Sequence, residues 1–522
     1  MRVCTNAEMK ALDARAETEF GISSSILMEN AGRAAVDVLL EYFPEAGHED
    51  EVLVFAGKGN NAGDAFVVAR RLLSLERKVR VFLLSAPDRY QGEARKQLSI
   101  LERLGCRAVH LERGADLSAY LAQQNPGFKL AIDGIVGTGL KGELSDLFFE
   151  VIEIVNAEMD AVVAMDIPSG VSGDTGGVHG IAVRSTLTVS FGYPKLGHFI
   201  QPGATYCGEL INVDISLPAL FSKEGERFLL EREDVAQFLK PRDPYAHKNR
   251  FGHVLVIGGG LGTLGAACLA ARAAGRTGAG LVTVATWPEA FEILSARIPD
   301  EVMMGVCPNL EGSEAEIEKE LDAYIANLKS YQAVIVGPGL GRGIRTERLL
   351  KGLLERYPGP IVIDADGLNA IAEGNLQDWI LERKRPVLLT PHPGEMARLL
   401  GRSTEEVTHS PDQAVRALVE RTGALVLLKG ATTWFGAPGE SVYLYHAPND
   451  GIAKAGSGDA LSGILGALLG QGYPPRNALA LGMVLHSVAG EKASKREGTR
   501  SVSVGDVIET LDEAFSALGE SQ

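Results

Sequence analysis

The chain has 522 residues, of which 45% are hydrophobic, and a formal net charge of -16 at pH 7. This length exceeds one ordinary hydrophobic core, so the sequence predicts two domains. The negative charge argues against a broad binding surface for nucleic acid or anionic membranes, which leaves small molecules as the expected ligands. The five cysteines are scattered without CxxC spacing, which gives no sign of a zinc site or a disulfide framework and favours a reducing compartment.

The first residues lack the apolar core of a secretory signal, and Thr5 with Glu8 instead matches a helix capping box. The longest stretch of small apolar residues, 460–470, is too short to span a bilayer and predicts a buried helix. We therefore expect a cytoplasmic protein without a membrane partner.

From about residue 50, short apolar runs alternate with glycine-rich turns and helical periodicity, which predicts an α/β protein with mainly parallel sheets. The first half contains predicted strands at residues 51–55, 79–84, 130–132, 162–165 and 187–190. The segment 218–243 is charged and has no strand period, so we place the domain junction there. The second half contains predicted strands at residues 253–257, 281–285, 333–336, 360–363, 387–390 and 425–428.

The segment VLVFAGKGNNAGD, residues 52–64, reads as an apolar strand followed by a glycine-rich turn at the start of a helix. Such a turn exposes backbone N–H groups, which favour phosphate. A turn with a purely structural role remains the alternative, and the spacing departs from the GxGxxG of dinucleotide-binding turns.

Two further predicted strands end in polar loops, one with Asp133 and the other with Asp166 and Ser169. Ligands of open α/β sheets collect at the carboxyl ends of strands, so these loops are expected to converge. A carboxylate there needs water, a cation or a hydrogen-bond donor, although two helix-capping aspartates remain the alternative. The side chains of three residues offer oxygen atoms suited to a hard cation: Asn61, Asp133 and Ser169.

Six motifs resemble the NAD(P)H-hydrate epimerase family over residues 1–217: TNAEMKALD, ILMENAG, GKGNNAGD, DGIVGTGLKGE, AMDIPSGVSGDTG and FGYPKLG. The resemblance implies a Rossmann-like domain, which we bound at residues 1–220. It also implies that this domain interconverts the R and S epimers of NAD(P)HX, which is NAD(P)H hydrated at C6 of the nicotinamide ring. The same domain occurs in non-enzymatic scaffolds, which remain the alternative.

The resemblance carries site residues over by motif. The hydrate is expected to contact Asn60, Asn61, Ala62, Gly63, Asp64, Gly137, Thr138, Gly139, Leu140, Lys141, Gly142, Glu143 and Asp166. Potassium is expected at Asn61, Asp133 and Ser169, and Lys195 is a further candidate for the site. Inversion at C6 requires loss of the hydroxyl or opening of the ring, with protons moved at nitrogen and oxygen. We expect Asp166 to act as the general acid and base.

The second half contains three candidate site segments. His392 and Glu395 lie in a Pro-bounded loop before a helix, although a lone loop histidine is usually just exposed. In KAGSGDALSGILGALL, a glycine turn precedes Asp459 at the start of an apolar helix. This turn offers N–H groups to a transferring phosphoryl group, and the carboxylate can accept a hydroxyl proton. A helix-capping aspartate is the alternative. Lys429 begins a polar turn suited to a nucleotide, and no P-loop pattern occurs in the sequence.

Six motifs resemble the NAD(P)H-hydrate dehydratase family over residues 230–512: GHVLVIGG, GPGLGRG, DADGLNA, TPHPGE, LLKGATT and GSGDALSG. The resemblance implies a ribokinase-like domain, which we bound at residues 228–515. Such enzymes phosphorylate the hydroxyl of S-NAD(P)HX with ADP or ATP and then expel phosphate, which restores NAD(P)H. The expected hydrate contacts are Ala266, Gly339, His392 and Asp459, with Asp459 as the base. The expected nucleotide contacts are Lys429, Gly430, Ala431, Thr432, Thr433 and Gly458.

The expected small-molecule partners are NADHX, NADPHX and ADP, with K+ in the first domain and Mg2+ in the second. We expect ADP, with release of AMP and phosphate, because fusion of the two domains is typical of bacteria; no residue singles it out. Magnesium is expected because phosphoryl transfer usually uses it to bridge phosphates. We also expect a homo-oligomer and no nucleic-acid partner. Small-molecule kinases share the ribokinase-like fold and remain the alternative, although TPHPGE with KGATT favours the dehydratase.

Overall fold

The computed structural model describes residues 1–124, 127–139, 142 and 144–519. The chain divides into two compact units, Met1–Glu226 and Arg227–Gln522. Each unit is built around its own sheet. Among the described helices, none combines the length and the apolar sequence needed to cross a membrane.

The first unit has a Rossmann-like sheet of parallel strands with helices on both faces. Its described strands are β1 (Val52–Ala56), β2 (Val79–Leu83), β3 (Val109–His110), β4 (Leu130–Gly134), β5 (Ala161–Met165), β6 (Leu187–Phe191) and β7 (Glu209–Val213). Its described helices are α1 (Asn6–Phe20), α2 (Ser24–Tyr42), α3 (Asn60–Ser74), α4 (Gly92–Arg103), α5 (Gly114–Leu121), α6 (Asp146–Glu158) and α7 (Gly203–Tyr206). The five strands predicted for this half are confirmed with ends shifted by one or two residues.

The strand order in this sheet is β3-β2-β1-β4-β5-β6-β7. The chain moves outward from β1 in one direction through β2 and β3, and in the other direction from β4. The space between the ends of β1 and β4 is therefore a topological switch point, where open sheets of this kind bind ligands. Strands β1, β4 and β5 are buried along their whole length, which explains their nearly continuous apolar sequences.

Helices α1 to α4 pack on one face of this sheet and helices α5 and α6 on the other. Helix α1 begins with the predicted capping box, in which the Thr5 hydroxyl accepts a hydrogen bond from the Glu8 backbone N–H. The Glu8 carboxylate in turn accepts a hydrogen bond from the Thr5 N–H at 2.6 Å. These two bonds fix where α1 starts.

The second unit has a larger, ribokinase-like sheet. Its described strands are β8 (Arg227–Leu229), β9 (His253–Ile257), β10 (Leu281–Thr286), β11 (Met303–Val306), β12 (Ala333–Val336), β13 (Ile361–Ile363), β14 (Val387–Leu389), β15 (Leu425–Leu428), β16 (Thr432–Gly436) and β17 (Val442–His446). Its described helices are α8 (Arg232–Ala236), α9 (Leu264–Arg276), α10 (Pro288–Ser295), α11 (Glu314–Asn327), α12 (Ile344–Arg356), α13 (Asp366–Glu373), α14 (Gln377–Glu382), α15 (Pro393–Leu400), α16 (Thr404–His409), α17 (Pro411–Thr422), α18 (Ser457–Gly470), α19 (Pro475–Glu497), α20 (Val504–Glu509) and α21 (Leu511–Ala517).

The strand order of the second sheet is β11-β10-β9-β12-β13-β14-β15-β16-β17-β8. Strands β9 to β15 are parallel, and β16 with β17 form an antiparallel hairpin at the side of β15. The switch point of this sheet lies between β9 and β12. Helix α18 contains the predicted buried stretch and packs closely on α9, because a Cβ at Gly463 would lie 2.2 Å from the Ala270 carbonyl oxygen.

Residues 218–243, which show no strand period in the sequence, nevertheless contain a short strand. Strand β8 lies in this segment and pairs in parallel with β17 at the edge of the sheet. Its first residue, Arg227, is buried and donates a hydrogen bond to Asp412 at 2.7 Å. Three residues are too few to show the alternation of a strand. The burial of Arg227 also depends on Asp412, a partner distant in sequence, so its charge hides the strand.

Candidate active sites

The first unit contains a cleft of about 1730 Å3 at the carboxyl ends of its parallel strands. This volume exceeds the roughly 300–1,000 Å3 of a typical small-molecule pocket, and a dinucleotide is an unusually large small molecule. The cleft is lined by the loops after β1, β4, β5 and β6 and by one face of α1. The polar loops predicted to converge therefore do lie together.

The loops after β1 and β4 cross in close contact at the switch point. A Cβ at Gly57 would lie 1.9 Å from the carbonyl oxygen of Ile135, so only glycine fits there. Helix α3 follows, and Asn60, Asn61 and Asp64 in its first turns line the cleft. The expected hydrate contacts Ala62 and Gly63 are instead buried, and a Cβ at Gly63 would collide with the Met28 side chain.

The three predicted potassium ligands lie around the end of β4. The Ser169 hydroxyl donates to Asp133 at 2.5 Å, and the Ser169 N–H donates to the other carboxylate oxygen at 2.8 Å. The carbonyl oxygen of Val136 lies 2.9 Å from the same hydroxyl. Burial raises the pKa of Asp133 to about 6, while the bonds from Ser169 work in the opposite direction.

Asn61 is 93% buried, being only 7% exposed, and both polar atoms of its side chain lack a hydrogen-bond partner within the described chain. A Cβ at Gly137 would lie 3.1 Å from the Cβ of Asn61, so the amide faces the loop after β4. A buried amide without partners is costly unless a ligand or ion supplies them. This position fits the carbonyl of Asn61 as a ligand for a cation.

The loop after β4 accounts for the second group of expected hydrate contacts. Gly137, Thr138 and Gly139 line the cleft, and the Thr138 carbonyl oxygen accepts a hydrogen bond from the Asn6 side chain at 3.1 Å. Gly142 is exposed and has a positive φ of 80°. The remaining expected contacts, Leu140, Lys141 and Glu143, lie outside the described residues.

Asp166 lies directly after β5 and faces the cleft, with its side chain 16% exposed. Its Oδ1 accepts hydrogen bonds from the Lys195 ammonium and, at 3.1 Å, from the Phe191 N–H. Lys195 is 1% exposed, and the Phe191 carbonyl also accepts from it at 3.1 Å. Asp166 has a φ of 66°, an unfavourable value for a residue with a side chain. The surrounding structure thus holds this carboxylate in a strained, fixed position.

His198 fixes the backbone of Asp166 and Lys195 through hydrogen bonds of both ring nitrogens. Its Nδ1 accepts a hydrogen bond from the Lys195 backbone N–H at 3.1 Å. The proton is therefore on Nε2, which donates to the Asp166 carbonyl oxygen at 2.9 Å. His198 follows the FGYPKLG motif immediately, and the motif alone does not indicate this role.

Two more carboxyl groups face the same cleft. Burial and then the charge of Asp166 raise the pKa of Asp64 well above its usual value. Burial raises the pKa of Asp13 to about 6, with Lys195 lowering it and Asp166 raising it. Asp13 is the last residue of the TNAEMKALD motif, and no role was predicted for it from the sequence.

In the second unit, the loops after β9 and β12 meet at the switch point. The Gly259 N–H donates to the Pro338 carbonyl at 2.9 Å, and the Gly260 N–H donates to the Gly339 carbonyl at 2.6 Å. A Cβ at Gly339 would lie 3.0 Å from the Cβ of Ala266 at the start of α9. The structure therefore brings the expected hydrate contacts Ala266 and Gly339 together.

A buried ion pair lies at the end of β13. Lys429 donates to Asp364 at 2.8 Å, and the Ser462 hydroxyl donates to the other oxygen of Asp364 at 2.5 Å. The Asp364 side chain is 2% exposed, and Lys429 also lies 4.0 Å from Glu395. The pKa of Lys429 is raised, because the attraction of Asp364 and Glu395 exceeds the effect of burial.

Asp459 joins this cluster from the first turn of α18. Burial, and then the charge of Asp364, raises the pKa of Asp459 to about 7, while Lys429 lowers it. A Cβ at Gly458 would lie 3.1 Å from the Lys429 ammonium. Lys429 thus lies beside Gly458 and Asp459, which follow it by about thirty residues in the sequence.

Asp364 is the first residue of the DADGLNA motif, and no role was predicted for it from the sequence. It follows the apolar run 361–363 directly, as Asp133 and Asp166 follow theirs. The same strand-end rule that identified those two residues would have identified this one.

His392 is a helix cap. Its Nδ1 accepts hydrogen bonds from the N–H groups of Gly394 and Glu395, at 3.0 and 3.4 Å. Its Nε2 lies 3.5 Å from the Glu395 carboxylate, and half of its side chain is exposed. Burial lowers its pKa, with Lys429 as the second cause. The ring is therefore fixed and neutral, with its open side free to contact a ligand.

The polar turn after β15 carries the remaining expected nucleotide contacts. The Lys429 N–H donates to the Pro391 carbonyl at 2.9 Å, which ties this turn to the His392 loop. Gly430 and Ala431 are exposed. The Thr433 hydroxyl donates to the Gly430 carbonyl at 3.2 Å. The Thr432 hydroxyl lies 2.8 Å from Nδ1 of His446, so its side chain faces the hairpin.

Comparison with known proteins identifies both halves. A family model described as NAD(P)H-hydrate dehydratase matches residues 254–513, and one described as YjeF-related protein N-terminus matches residues 24–197. The bifunctional NAD(P)H-hydrate repair enzyme Nnr of Moorella thermoacetica is 38% identical over 100% of this chain and 98% of its own. The enzyme of the same name from Thermofilum pendens is 36% identical over 100% of this chain and 97% of its own.

Among solved structures, the ADP/ATP-dependent NAD(P)H-hydrate dehydratase of Bacillus subtilis, co-crystallised with ATP and Mg2+, is similar at a TM-score of 0.48 and 23% identity. The similarity covers 56% of this chain and 98% of that chain. The identity to the bifunctional relatives, in contrast, extends over the whole of this chain. The chain therefore belongs to the family of bifunctional NAD(P)H-hydrate repair enzymes.

Proposed function

We propose that this chain repairs hydrated NAD(P)H by two reactions. The first unit interconverts R- and S-NAD(P)HX, and the second dehydrates the S epimer with ADP, releasing AMP and phosphate. The observation that carries this proposal is an ion pair between a strand-end aspartate and a lysine in each unit, Asp166 with Lys195 and Asp364 with Lys429. These sites occur in a chain that is 38% identical to a bifunctional repair enzyme over its full length.

In the epimerase reaction, Asp166 exchanges a proton with the C6 hydroxyl of the hydrate. The Lys195 ammonium supports this role because its hydrogen bond holds the carboxylate in place at the cleft. Asn60, Asn61, Asp64 and the loop at residues 137–139 bind the nicotinamide side of the hydrate. The exposed N-terminal turn of α3 favours the negative charge of the substrate phosphates.

The residues at the end of β4 fit potassium. The orphaned amide of Asn61, the carboxylate of Asp133, the hydroxyl of Ser169 and the carbonyl of Val136 form an all-oxygen donor set. A cation bound there would balance the charge of Asp133 and hold the loop at residues 137–139 in place. A carboxylate as deeply buried as Asp133 otherwise carries a large desolvation cost.

In the dehydratase reaction, Asp459 takes the proton of the C6 hydroxyl as its oxygen attacks the terminal phosphoryl group of ADP. The new O–P bond forms while the bond from phosphorus to the departing AMP oxygen breaks. Loss of phosphate from C6 and of a proton from C5 then restores the ring double bond. A carboxyl pKa of about 7 suits a general base that works near neutral pH.

Lys429 and the first turn of α18 supply positive charge for this transfer. The Gly458 position lies beside the Lys429 ammonium, so backbone N–H groups and the ammonium meet where phosphate oxygens are expected. Lys429 to Thr433 and Gly458 bind the nucleotide, whereas Ala266, Gly339 and His392 bind the hydrate. Asp364 and Ser462 keep the lysine in place.

Magnesium fits this site as an ion held mainly by the nucleotide. Among the described residues, no group of three or more His, Cys, Asp or Glu side chains is arranged to hold a metal. Magnesium in phosphoryl transfer usually needs only one or two carboxylates in addition to the phosphates. The homo-oligomer and the cytoplasmic location stay predictions.

The experiment that tests the proposal follows the absorbance of reduced nicotinamide regained from mixed R- and S-NADPHX, with Mg2+ and either ADP or ATP. Full recovery with ADP is expected. Recovery that stops at the S fraction would refute the epimerase, and no recovery with either nucleotide would refute the dehydratase. With the Asp166→Asn variant, recovery of NADPH should stop at the S fraction. With the Asp459→Asn variant, no NADPH should be recovered.

A further inference from the structure

Helix α1 presents one face to the epimerase cleft. Asn6, Met9, Lys10 and Asp13 all line it, and their spacing of three and four residues places them on one side of the helix. Of these four, Asp13 is the one whose side chain is an acid. It has no role in the reaction as proposed above.

The Asp13 carboxyl lacks the partners that a buried charge needs. Its Oδ1 is inaccessible to solvent and has no hydrogen-bond partner within the described chain. The charged groups that face it are Lys195 from the loop after β6, Asp166 from the end of β5 and Asp64 from α3. Lys195 donates its hydrogen bonds to Asp166 and to a backbone carbonyl, so Asp166 holds the cation.

The two carboxyl groups lie in different environments. Asp166 is paired with the Lys195 ammonium, whereas Asp13 is desolvated beside other carboxyls, which favours its neutral acid form. The pKa of Asp13 is raised to about 6, so the acid form persists to higher pH than in water. Carboxyl groups in such different environments can divide the roles of acid and base between them.

We propose that Asp13 is a second catalytic residue of the epimerase, the acid that protonates the ring nitrogen while Asp166 accepts the proton of the C6 hydroxyl. This inference rests on the proposed epimerase function and adds one residue to it. It is motivated by Asp13 lining the same cleft as Asp166 and Lys195, with one carboxyl oxygen that has no hydrogen-bond partner within the described chain.

In one turnover, Asp166 and Asp13 each exchange a proton with the hydrate and recover their starting states. Asp166 takes the hydroxyl proton, the C6–O bond becomes a carbonyl, and the electron pair of the C6–N1 bond moves to N1, which takes the proton of Asp13. Rotation about the C5–C6 bond presents the other face of the aldehyde. N1 then attacks C6 and returns its proton to Asp13, while the oxygen recovers its proton from Asp166. No oxidant, reductant or second substrate is consumed.

The test measures conversion of pure R-NADPHX to the S epimer by chromatography, without nucleotide, so that the dehydratase is silent. Asp13→Asn should lower kcat by roughly a hundredfold or more with KM changed only a few-fold, because one proton transfer is lost. Asp13→Glu should recover part of the rate. Glu17→Gln, one turn further along α1 and exposed, is the matched control and should behave as the wild type.

The pH profile separates proton donation from a structural role. In the wild type, kcat should fall as pH rises through about 6, where the acid form of Asp13 is lost. Asp13→Asn should retain a small rate without that fall. The inference is overturned if Asp13→Asn stays within twofold of wild type, or if it loses activity while its remaining rate keeps the same fall. A wild type without epimerisation overturns the proposed function as well.

Discussion

Replacement of Gly57 by alanine tests whether the crossing of the β1 and β4 loops builds the epimerase site. The added Cβ would lie 1.9 Å from the Ile135 carbonyl oxygen, whereas Cβ atoms essentially never come closer than 3.0 Å to such an atom. The loops must therefore separate by about 1.1 Å, since both are backbone and no side chain can rotate away. Overpacking of this kind costs about 1–3 kcal/mol in stability. A displacement near 1 Å at a catalytic site costs roughly a hundredfold in rate.

We expect Gly57→Ala to slow epimerisation of R-NADPHX by that factor and to leave dehydration of S-NADPHX by the same chain unchanged. Gly275→Ala is the control, because its added Cβ meets no atom within 4 Å and it lies in helix α9 of the second unit, outside the epimerase cleft. Both rates are measured on one preparation, the first by chromatography without nucleotide and the second by absorbance with ADP. Normal epimerisation by a folded Gly57→Ala variant would refute the reasoning.

Three further predictions concern single residues. Lys429→Met should destabilise the second unit by about 3–5 kcal/mol, because it leaves the buried Asp364 without its cation. Denaturant unfolding followed by tryptophan fluorescence checks this, since all three tryptophans lie in that unit, and an unchanged midpoint would contradict it. Asn61→Ala should raise the potassium concentration for half-maximal epimerisation by roughly tenfold or more, and an unaltered potassium titration would remove Asn61 from the ligand set. Asp459→Asn should abolish NADPH formation but retain nucleotide binding in calorimetry; substantial turnover would assign the base elsewhere.

The parallel strands and the strand-end residues were predictable because both depend on local sequence. An apolar run buried on both faces is recognisable by itself, and the polar residue that follows it lies at the edge where ligands bind. This rule placed Asp133, Asp166 and Ser169 correctly at one edge of the first sheet. The motif at the start of α18 likewise placed Asp459 in the first turn of a helix.

The rest depends on contacts between residues distant in sequence. Nothing local shows that Lys195 would be buried against Asp166, or that Ser462 would engage Asp364. Ala62 belongs to a motif that lines the cleft, yet it points into the core, because a helix shows only one of its faces to a ligand. Asp13 lies on a helix that precedes the first strand, so the strand-end rule does not apply to it.

The two sites make opposite demands on pH, which limits repair of the R epimer. Epimerisation needs Asp13 as the acid, which is lost as pH rises through about 6, whereas dehydration needs Asp459 as the base, which is gained as pH rises through about 7. Epimer exchange without nucleotide should therefore fall over a range in which NADPH formation from the S epimer rises. Because the R epimer needs both steps, its repair should decline at higher pH, where repair of the S epimer continues. Rates of both steps that rise together with pH would contradict this assignment of acid and base.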